Sequence, residues 1–305
     1  MRKLFFFIFL TLNFYYRSAG QDIPPATDIW VIQLKPSINN SFTIANYKKI
    51  TENPGYDNQP YFIPPLKSLL YVSDNGGSQT DIYQFDLETA VSKRVLKTEY
   101  YKEYSPMRSY DGKYISCISV EPDNTSQRFW EFPYGGGMGK PLFPDIINIG
   151  YYTWLNEDLV AFFRLGDKEA KDTLDQLDIG NITTGELQNL DERIGRCILR
   201  SRNHPWIYYV KKYDSENWKI RCYDYERSVY KGDIVLPKGQ EDFTLGPNDM
   251  IWLGNNGKIV EASIQNPTWK TILDFSSLPF KNFYRLVYSA DFNYLAVVTY
   301  EGKKP

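Results

Sequence analysis

The chain has 305 residues, with 35 Lys and Arg against 37 Asp and Glu and a formal net charge of −2. That length can bury one large core as a single domain. The near balance of charge, with no basic block, excludes the surface a nucleic-acid partner needs.

The N-terminus reads in three parts: basic Met1-Arg2-Lys3, an apolar run from Leu4 to Tyr16, and small residues in Arg17-Ser18-Ala19-Gly20. This is the layout of a secretory signal peptide, too short in its apolar part to span a bilayer comfortably. Residues 1–20 are therefore expected to direct export to the periplasm or the extracellular space, with no transmembrane span left after cleavage. Cleavage would remove Arg2, Lys3 and Arg17 and no acid, leaving 32 basic against 37 acidic residues. Residues 21–27, with Pro24-Pro25, read as a leader, and residues 28–305 as one domain.

From there the sequence is all-β. Short alternating runs rich in Tyr, Phe, Val and Ile recur between turn signals. The clearest unit has strands at Gln59–Ile63, Ser68–Ser73, Asp81–Leu87 and Ser92–Thr98, with turns at Pro64–Lys67, Asp74–Gly77 and Glu88-Thr89. Four antiparallel strands of this kind make a propeller blade. The unit returns with Ser105–Met107, a Ser109-Tyr110-Asp111-Gly112-Lys113 hairpin turn, Tyr114–Val120 and Gln127–Pro133. Asp-Gly supplies the positive φ that such a turn wants. Later copies start near Thr153, Ile198, Thr244 and Val287, and the third strands align on Ile82, Phe129, Leu174, Ile220 and Ile259. The last copy, Phe283–Ser289 and Tyr294–Thr299, lacks two strands. Thr27-Asp28-Ile29-Trp30 matches Thr80-Asp81-Ile82-Tyr83, and Ala45–Thr51 resembles Ser92–Thr98. The N-terminal strands should thus complete the final blade and close a six-bladed β-propeller of four-stranded antiparallel blades, leaving no open edge. No second domain is expected, and a monomer is.

These residues carry a resemblance. Ile50–Pro60 resembles the repeat entry of TolB-like propellers, Asp81-Ile82-Tyr83-Gln84-Phe85-Asp86-Leu87 their D-I-Y-x-x-D-L strand, and Ser109–Lys113 their S-P-D-G-K turn, with Tyr for Pro. The turn degrades at Pro64–Lys67, Leu155–Asp158, Gly246–Asp249 and Ala290–Asn293. The resemblance covers nearly the whole chain after residue 20 and implies the fold. It implies function only as exported binding, since the family includes periplasmic adaptors that bind other proteins. Propellers of prolyl oligopeptidase and dipeptidyl-peptidase type are also similar, but they carry a hydrolase domain with a G-x-S-x-G nucleophile that has no counterpart here.

Catalytic material is sparse. Three cysteines, Cys117, Cys197 and Cys222, give no disulfide framework, and Cys117 and Cys222 read as buried thiols in strands. The single histidine, His204, sits in a hairpin turn on the bottom rim. That places the histidine away from the usual top-face site for a Ser-His-Asp or Cys-His arrangement, and leaves almost no material for a Cys/His zinc set. Gly135-Gly136-Gly137-Met138-Gly139 lacks the Gly-Lys-Ser/Thr ending of a phosphate loop and reads as a turn. No catalytic residue, metal or cofactor is expected.

A propeller brings together the residues at the entry to each innermost strand, at the top of the central channel. Here these are Tyr56, Asp57 and Asn58; Glu103, Tyr104 and Ser105; Tyr151 and Tyr152; Gly195 and Arg196; Glu241, Asp242 and Phe243; and Tyr284 and Arg285. Tyr and Arg favour recognition through rigid contact area and planar hydrogen bonding. Asp57, Asn58, Glu103, Tyr104, Tyr151, Arg196, Asp242 and Arg285 are the candidate binding residues, for a protein, peptide or glycan ligand. Pairing of Arg196 with Asp242, or of Arg285 with Asp57, is the competing structural role. A carboxylate-based hydrolase or lyase acting on a sugar or small molecule is the alternative function. It requires Asp57, Glu103 or Asp242 to have a raised pKa in a closed pocket.

Overall fold

The computed structural model describes residues 25–36, 42–65, 67–166, 174–280 and 282–301. The expected signal peptide at 1–20, and most of the expected leader, lie outside the described residues. Every sheet among the described residues has four strands, and there are six sheets.

The first sheet holds β3 (Asp57–Phe62), β4 (Ser68–Ser73), β5 (Asp81–Asp86) and β6 (Ser92–Leu96). The second holds β7 (Lys102–Arg108), β8 (Tyr114–Val120), β9 (Gln127–Pro133) and the short β10 (Lys140–Pro141). The third runs β11 (Ile149–Trp154), β12 (Leu159–Arg164), β13 (Gln176–Asn181), β14 (Leu187–Glu192). The fourth runs β15 (Ile194–Arg200), β16 (Trp206–Lys212), β17 (Trp218–Asp224), β18 (Val229–Val235). The fifth runs β19 (Phe243–Leu245), β20 (Ile251–Asn255), β21 (Lys258–Ala262), β22 (Lys270–Asp274). The sixth is assembled from both ends of the described chain, in the order β23 (Phe283–Tyr288), β24 (Tyr294–Tyr300), β1 (Thr27–Pro36), β2 (Phe42–Lys49). The six-bladed propeller and its closure by N-terminal strands are thus as the repeat implies.

Closure rests on β1, which pairs antiparallel with β24 from Thr27↔Tyr300 to Gln33↔Tyr294. Its side chains alternate, as strand geometry demands. Ile29 and Val31 pack with Leu69, Tyr71 and Phe85 of the first blade. Ile32 and Leu34 pack with Trp252 and Ile259 of the fifth. One strand therefore fastens its blade to both neighbours. The other blade interfaces are built alike, for example Phe129, Tyr152, Trp154 and Phe162 between the second and third blades. Cys117 and Cys222 are buried free thiols in these layers, as expected.

Two sequence expectations need correction. Leu174 lies outside the third strand of its blade, and fully buried Leu177 of β13 takes the repeat position. The innermost strands also start earlier than the turn pattern indicates, so most of the channel-entry residues lie in β3, β7, β11, β15 and β23 rather than before them. The cause is an irregular register near the start of these strands, between Asn58 and Tyr61, Tyr104 and Met107, Ile149 and Tyr151, Ile194 and Ile198, and Phe283 and Arg285. Bulges of this kind re-aim side chains and hide the period-two signature.

Candidate functional site

All six innermost strands line one cavity of about 260 Å³ on the propeller axis. A wider depression of about 730 Å³ adjoins its entry end and shares Gln59 and Tyr151 with it. The repeat aligns Pro60, Pro106, Thr153, Ile198, Thr244 and Val287. Two residues before each stand Asn58, Tyr104, Tyr151, Arg196, Asp242 and Arg285. Six of the eight candidate residues thus hold one repeat position: Tyr151, Arg196, Asp242 and Arg285 line the cavity and Tyr104 the depression, while Asn58 lines neither and meets the channel through Arg285.

Asp242 is the hub. It is nearly buried, with its side chain 6% exposed, and Arg196 and Arg285 converge on it from the neighbouring fourth and sixth blades. Arg196 Nε donates to Asp242 Oδ1 at 3.2 Å and its Nη2 donates to Oδ2, while Arg285 Nε reaches Oδ1 at 3.4 Å. Burial pushes the Asp242 carboxyl up, but the two guanidiniums outweigh it and hold the pKa below the ordinary value. The network continues both ways. Arg285 Nη1 donates to Asn58 Oδ1 at 2.9 Å, and Asn58 Nδ2 donates to the Tyr284 hydroxyl at 2.6 Å. On the other side Glu241 accepts the Arg196 backbone N–H at 3.0 Å and pairs with Lys212 at 3.0 Å. Gly195 makes room for this, since a Cβ there would stand 2.5 Å from Glu241 Oε1.

Tyrosines complete the entry. Arg285 lies 5.7 Å from the Tyr151 ring centroid and 6.0 Å from that of Tyr284, which stacks on Tyr300 at 4.5 Å. Tyr56 and Tyr104 meet edge to face at 6.3 Å, and both line the depression. Each of these rings is half-buried.

Asp57 and Glu103 are placed differently. They precede the channel position by one residue, so strand alternation turns them away, and neither lines the cavity or the depression. Both are buried. Burial raises Asp57 to about 7, against a hydrogen bond from Ser73, and raises Glu103 to about 8, against one from Thr98. One carboxylate oxygen of each, Asp57 Oδ1 and Glu103 Oε2, has no partner among the described residues. Arg196 pairs with Asp242 as the structural alternative required, but Arg285 takes Asp242 and Asn58 rather than Asp57.

His204 lies in the β15–β16 turn at the opposite end, stacked on Trp206 at 4.2 Å. Sequence reasoning missed Gln59, whose backbone has φ 53° and whose Oε1 accepts the Ser105 N–H at 2.6 Å, bracing the first blade on the second. It also missed Arg108, Arg200 and Arg202 at the far mouth of the channel. Counting two residues forward from the repeat mark, rather than two back, finds Arg108 and Arg200.

In comparisons of sequence, no protein-family model and no curated protein matches the chain. Comparison of folds is more informative. A protein assigned as TolB from Agrobacterium tumefaciens superposes with a TM-score of 0.67 at 13% identity, covering 92% of this chain and 99% of its own. TolB from Acinetobacter baumannii gives 0.58 at 15% identity, over 93% of this chain and 66% of that one. In fold the chain is a TolB-like propeller. An oligogalacturonate lyase from Vibrio parahaemolyticus is also similar, with a TM-score of 0.59 at 12% identity over 84% of this chain and 83% of that one. A TolB-like propeller is thus a scaffold shared by proteins of different activity, and only the site distinguishes them. No helix among the described residues of this one is long and apolar enough to cross a membrane.

Proposed function

We propose that the chain is an exported binding protein that takes a peptide segment of a protein partner at the entry face of the channel. The observation that carries this reading is the state of the channel carboxylate. Asp242 is held ionised between two arginines, while the two carboxyls with pKa values near neutrality, Asp57 and Glu103, face away from the channel. A general acid or base needs both a pKa near the working pH and reach to the substrate. These carboxyls have one or the other, so the lyase or hydrolase reading, which the likeness to an oligogalacturonate lyase brings with it, lacks its machinery. Recognition is better served. Half-buried Tyr56, Tyr104 and Tyr151 offer hydroxyls and ring edges beside an open depression, which suits backbone and side-chain groups of a peptide. Residues 1–20 support export.

Ser78 is exposed on the rim of the depression and belongs to no blade core. Panning a random peptide library on the parent chain should enrich binders, and Ser78→Trp, which fills the depression without touching the packing, should weaken them roughly ten-fold or more. Equal binding by both proteins would move the site elsewhere. A glycan array that retains the parent while peptides do not would replace the peptide by a glycan. Turnover of an oligosaccharide that disappears in Asp242→Asn would revive the enzyme.

A further inference from the structure

The channel has a second mouth. At the far ends of the innermost strands a cavity of about 550 Å³ opens between the β3–β4, β7–β8 and β15–β16 turns. It adjoins the axial cavity, with which it shares Tyr61, Met107, Thr153, Arg200 and Arg202 as walls. Its volume is in the range of small-molecule sites. Arg108 at the end of β7, Arg200 at the end of β15 and Arg202 in the turn that follows line it, so two blades deliver three guanidiniums to one opening.

None of the three makes an ion pair among the described residues. The nearby acids have other partners, Asp111 and Asp291 within their own turns and Asp249 across to the fourth blade. Asp111 accepts from Ser109 at 2.7 Å and pairs with Lys113 at 3.0 Å; Asp249 accepts from Ser201 at 2.7 Å, and Asp291 from Ser289 at 2.7 Å. Arg108 uses Nε on the Gly112 carbonyl at 2.6 Å and lies over the Tyr134 ring at 4.6 Å. Arg202 uses two donors, on the Tyr288 and Ser289 carbonyls at 3.2 and 3.3 Å. A guanidinium has five N–H donors, so both keep unused ones. Arg200 lies over Tyr110 at 5.4 Å, and its Nε is buried with no hydrogen-bond partner. A buried unsatisfied donor of this kind calls for an acceptor. The positive field is felt at Tyr61. Burial raises its pKa, and the Arg108 backbone and the charges of Arg202 and Arg108 pull against the rise.

The contrast with the other mouth is sharp. There, Asp242 and Glu241 neutralise Arg196 and Arg285. Here no ion pair closes on the three guanidiniums, and Asp249 and Asp291 act on Arg202 only from a distance, in a chain whose net charge is −2. We propose that this far mouth binds a small, multiply charged oxyanion, a phosphate ester or a polycarboxylate, held by Arg108, Arg200 and Arg202. Guanidinium forks match such oxygens bidentately, and the bonds are charge-assisted.

The test titrates inorganic phosphate, and separately citrate, into the full chain at low ionic strength, with chloride at matched ionic strength as control. Calorimetry and the thermal midpoint are read together. One or both anions should bind saturably and raise the midpoint above the chloride control. Arg108→Gln and Arg200→Gln should each weaken binding roughly ten-fold, whereas Arg193→Gln, an exposed arginine outside this mouth, should not. The midpoint in chloride identifies any variant that has lost its fold, and Arg200→Lys, which keeps the charge, should then recover part of the affinity. Phosphate binding alone assigns a phosphate ester, and citrate binding alone a polycarboxylate. No saturable binding by the parent, or equal binding by the Arg108, Arg200 and Arg193 variants, overturns the proposal. Ser78→Trp leaves this readout unchanged, so failure here and failure of the peptide site are separable.

Discussion

At the scale of the residue, one step along a strand decides the role of a carboxylate. Asp242 stands on the channel side and is held ionised, while Asp57 and Glu103 stand one residue earlier in their repeats, Glu103 mostly protonated and Asp57 titrating at neutral pH. The repeat made Asn58, Tyr104, Tyr151, Arg196, Asp242 and Arg285 legible as one set. It misled at Asp57 and Glu103 because nearness in sequence was allowed to stand for a shared direction. Nor could it choose partners for Arg285, since that choice depends on side chains far apart in sequence that meet only across the ring.

A pH dependence follows. Glu103 ionises near 4.5 when unfolded but only near 8 in the fold. Between those values the native state keeps a proton that the unfolded chain has released, so raising the pH favours unfolding. The loss starts above pH 4.5 and is complete once the pH passes about 8. Asp57 adds the same trend up to about pH 7. Glu103→Gln keeps the shape and removes the titration. In urea unfolding, the variant should match the parent at pH 5 and exceed it by roughly 1–3 kcal/mol at pH 8. A parent whose stability changes between pH 5 and 8 to the same extent as the variant's would show that Glu103 ionises in the fold as readily as in the unfolded chain.

At the scale of the element, the hairpin turn between the first and second strands is a transferable part. In Ser109–Lys113, Ser109 Oγ donates to Asp111 Oδ1 at 2.7 Å, and the same oxygen accepts the Lys113 N–H at 3.0 Å. Tyr114 N–H closes the turn on Ser109 Oγ at 3.0 Å. Ser289-Ala290-Asp291-Phe292-Asn293 repeats it, with the matching distances at 2.7, 3.2 and 2.9 Å. Phe292 even adopts the positive φ of Gly112, 59° against 73°. The sequence showed this degraded copy because the Ser and Asp that make the bonds survive in it. Asp111→Ala and Asp291→Ala should therefore cost similar amounts, about 1–2 kcal/mol each in urea unfolding, because each removes the acceptor of the same set of bonds. A large difference between them would mean that the Phe292 contacts, not the Asp bonds, hold the second turn. The strand starts were less legible. Register irregularities displaced them, and a bulge leaves no mark in the apolar pattern when the extra residue is Gln59 or Ser105, both at positive φ.

At the scale of the whole molecule, the ring is closed by two strands that come from the N-terminal side of the first blade. Closure was legible because Thr27–Trp30 copies Thr80–Tyr83, a likeness of sequence that survives as a likeness of position, β1 and β5 each being the third strand of a blade. The energetic consequence is concentrated in β1. It supplies the pairing partner of β24 and, through opposite faces, apolar contacts to the first and fifth blades. Without it, β24 becomes an unpaired edge whose Ala296, Val297 and Val298 are otherwise buried, which is the template for edge-to-edge association. A chain beginning at Ile50 should consequently lose the single cooperative unfolding transition and associate with rising concentration, seen by size-exclusion chromatography with light scattering. Adding β1 and β2 back as a separate peptide of residues 25–49 should restore the monomer. Ile32→Ala within the intact chain tests the same closure more gently. Ile32 is fully buried between the fifth and sixth blades, so the change should cost roughly 2–4 kcal/mol. If the shortened chain instead remains monomeric and unfolds with the parent's cooperativity, the five remaining blades hold the ring by themselves, and β1 is needed neither for stability nor to protect the β24 edge.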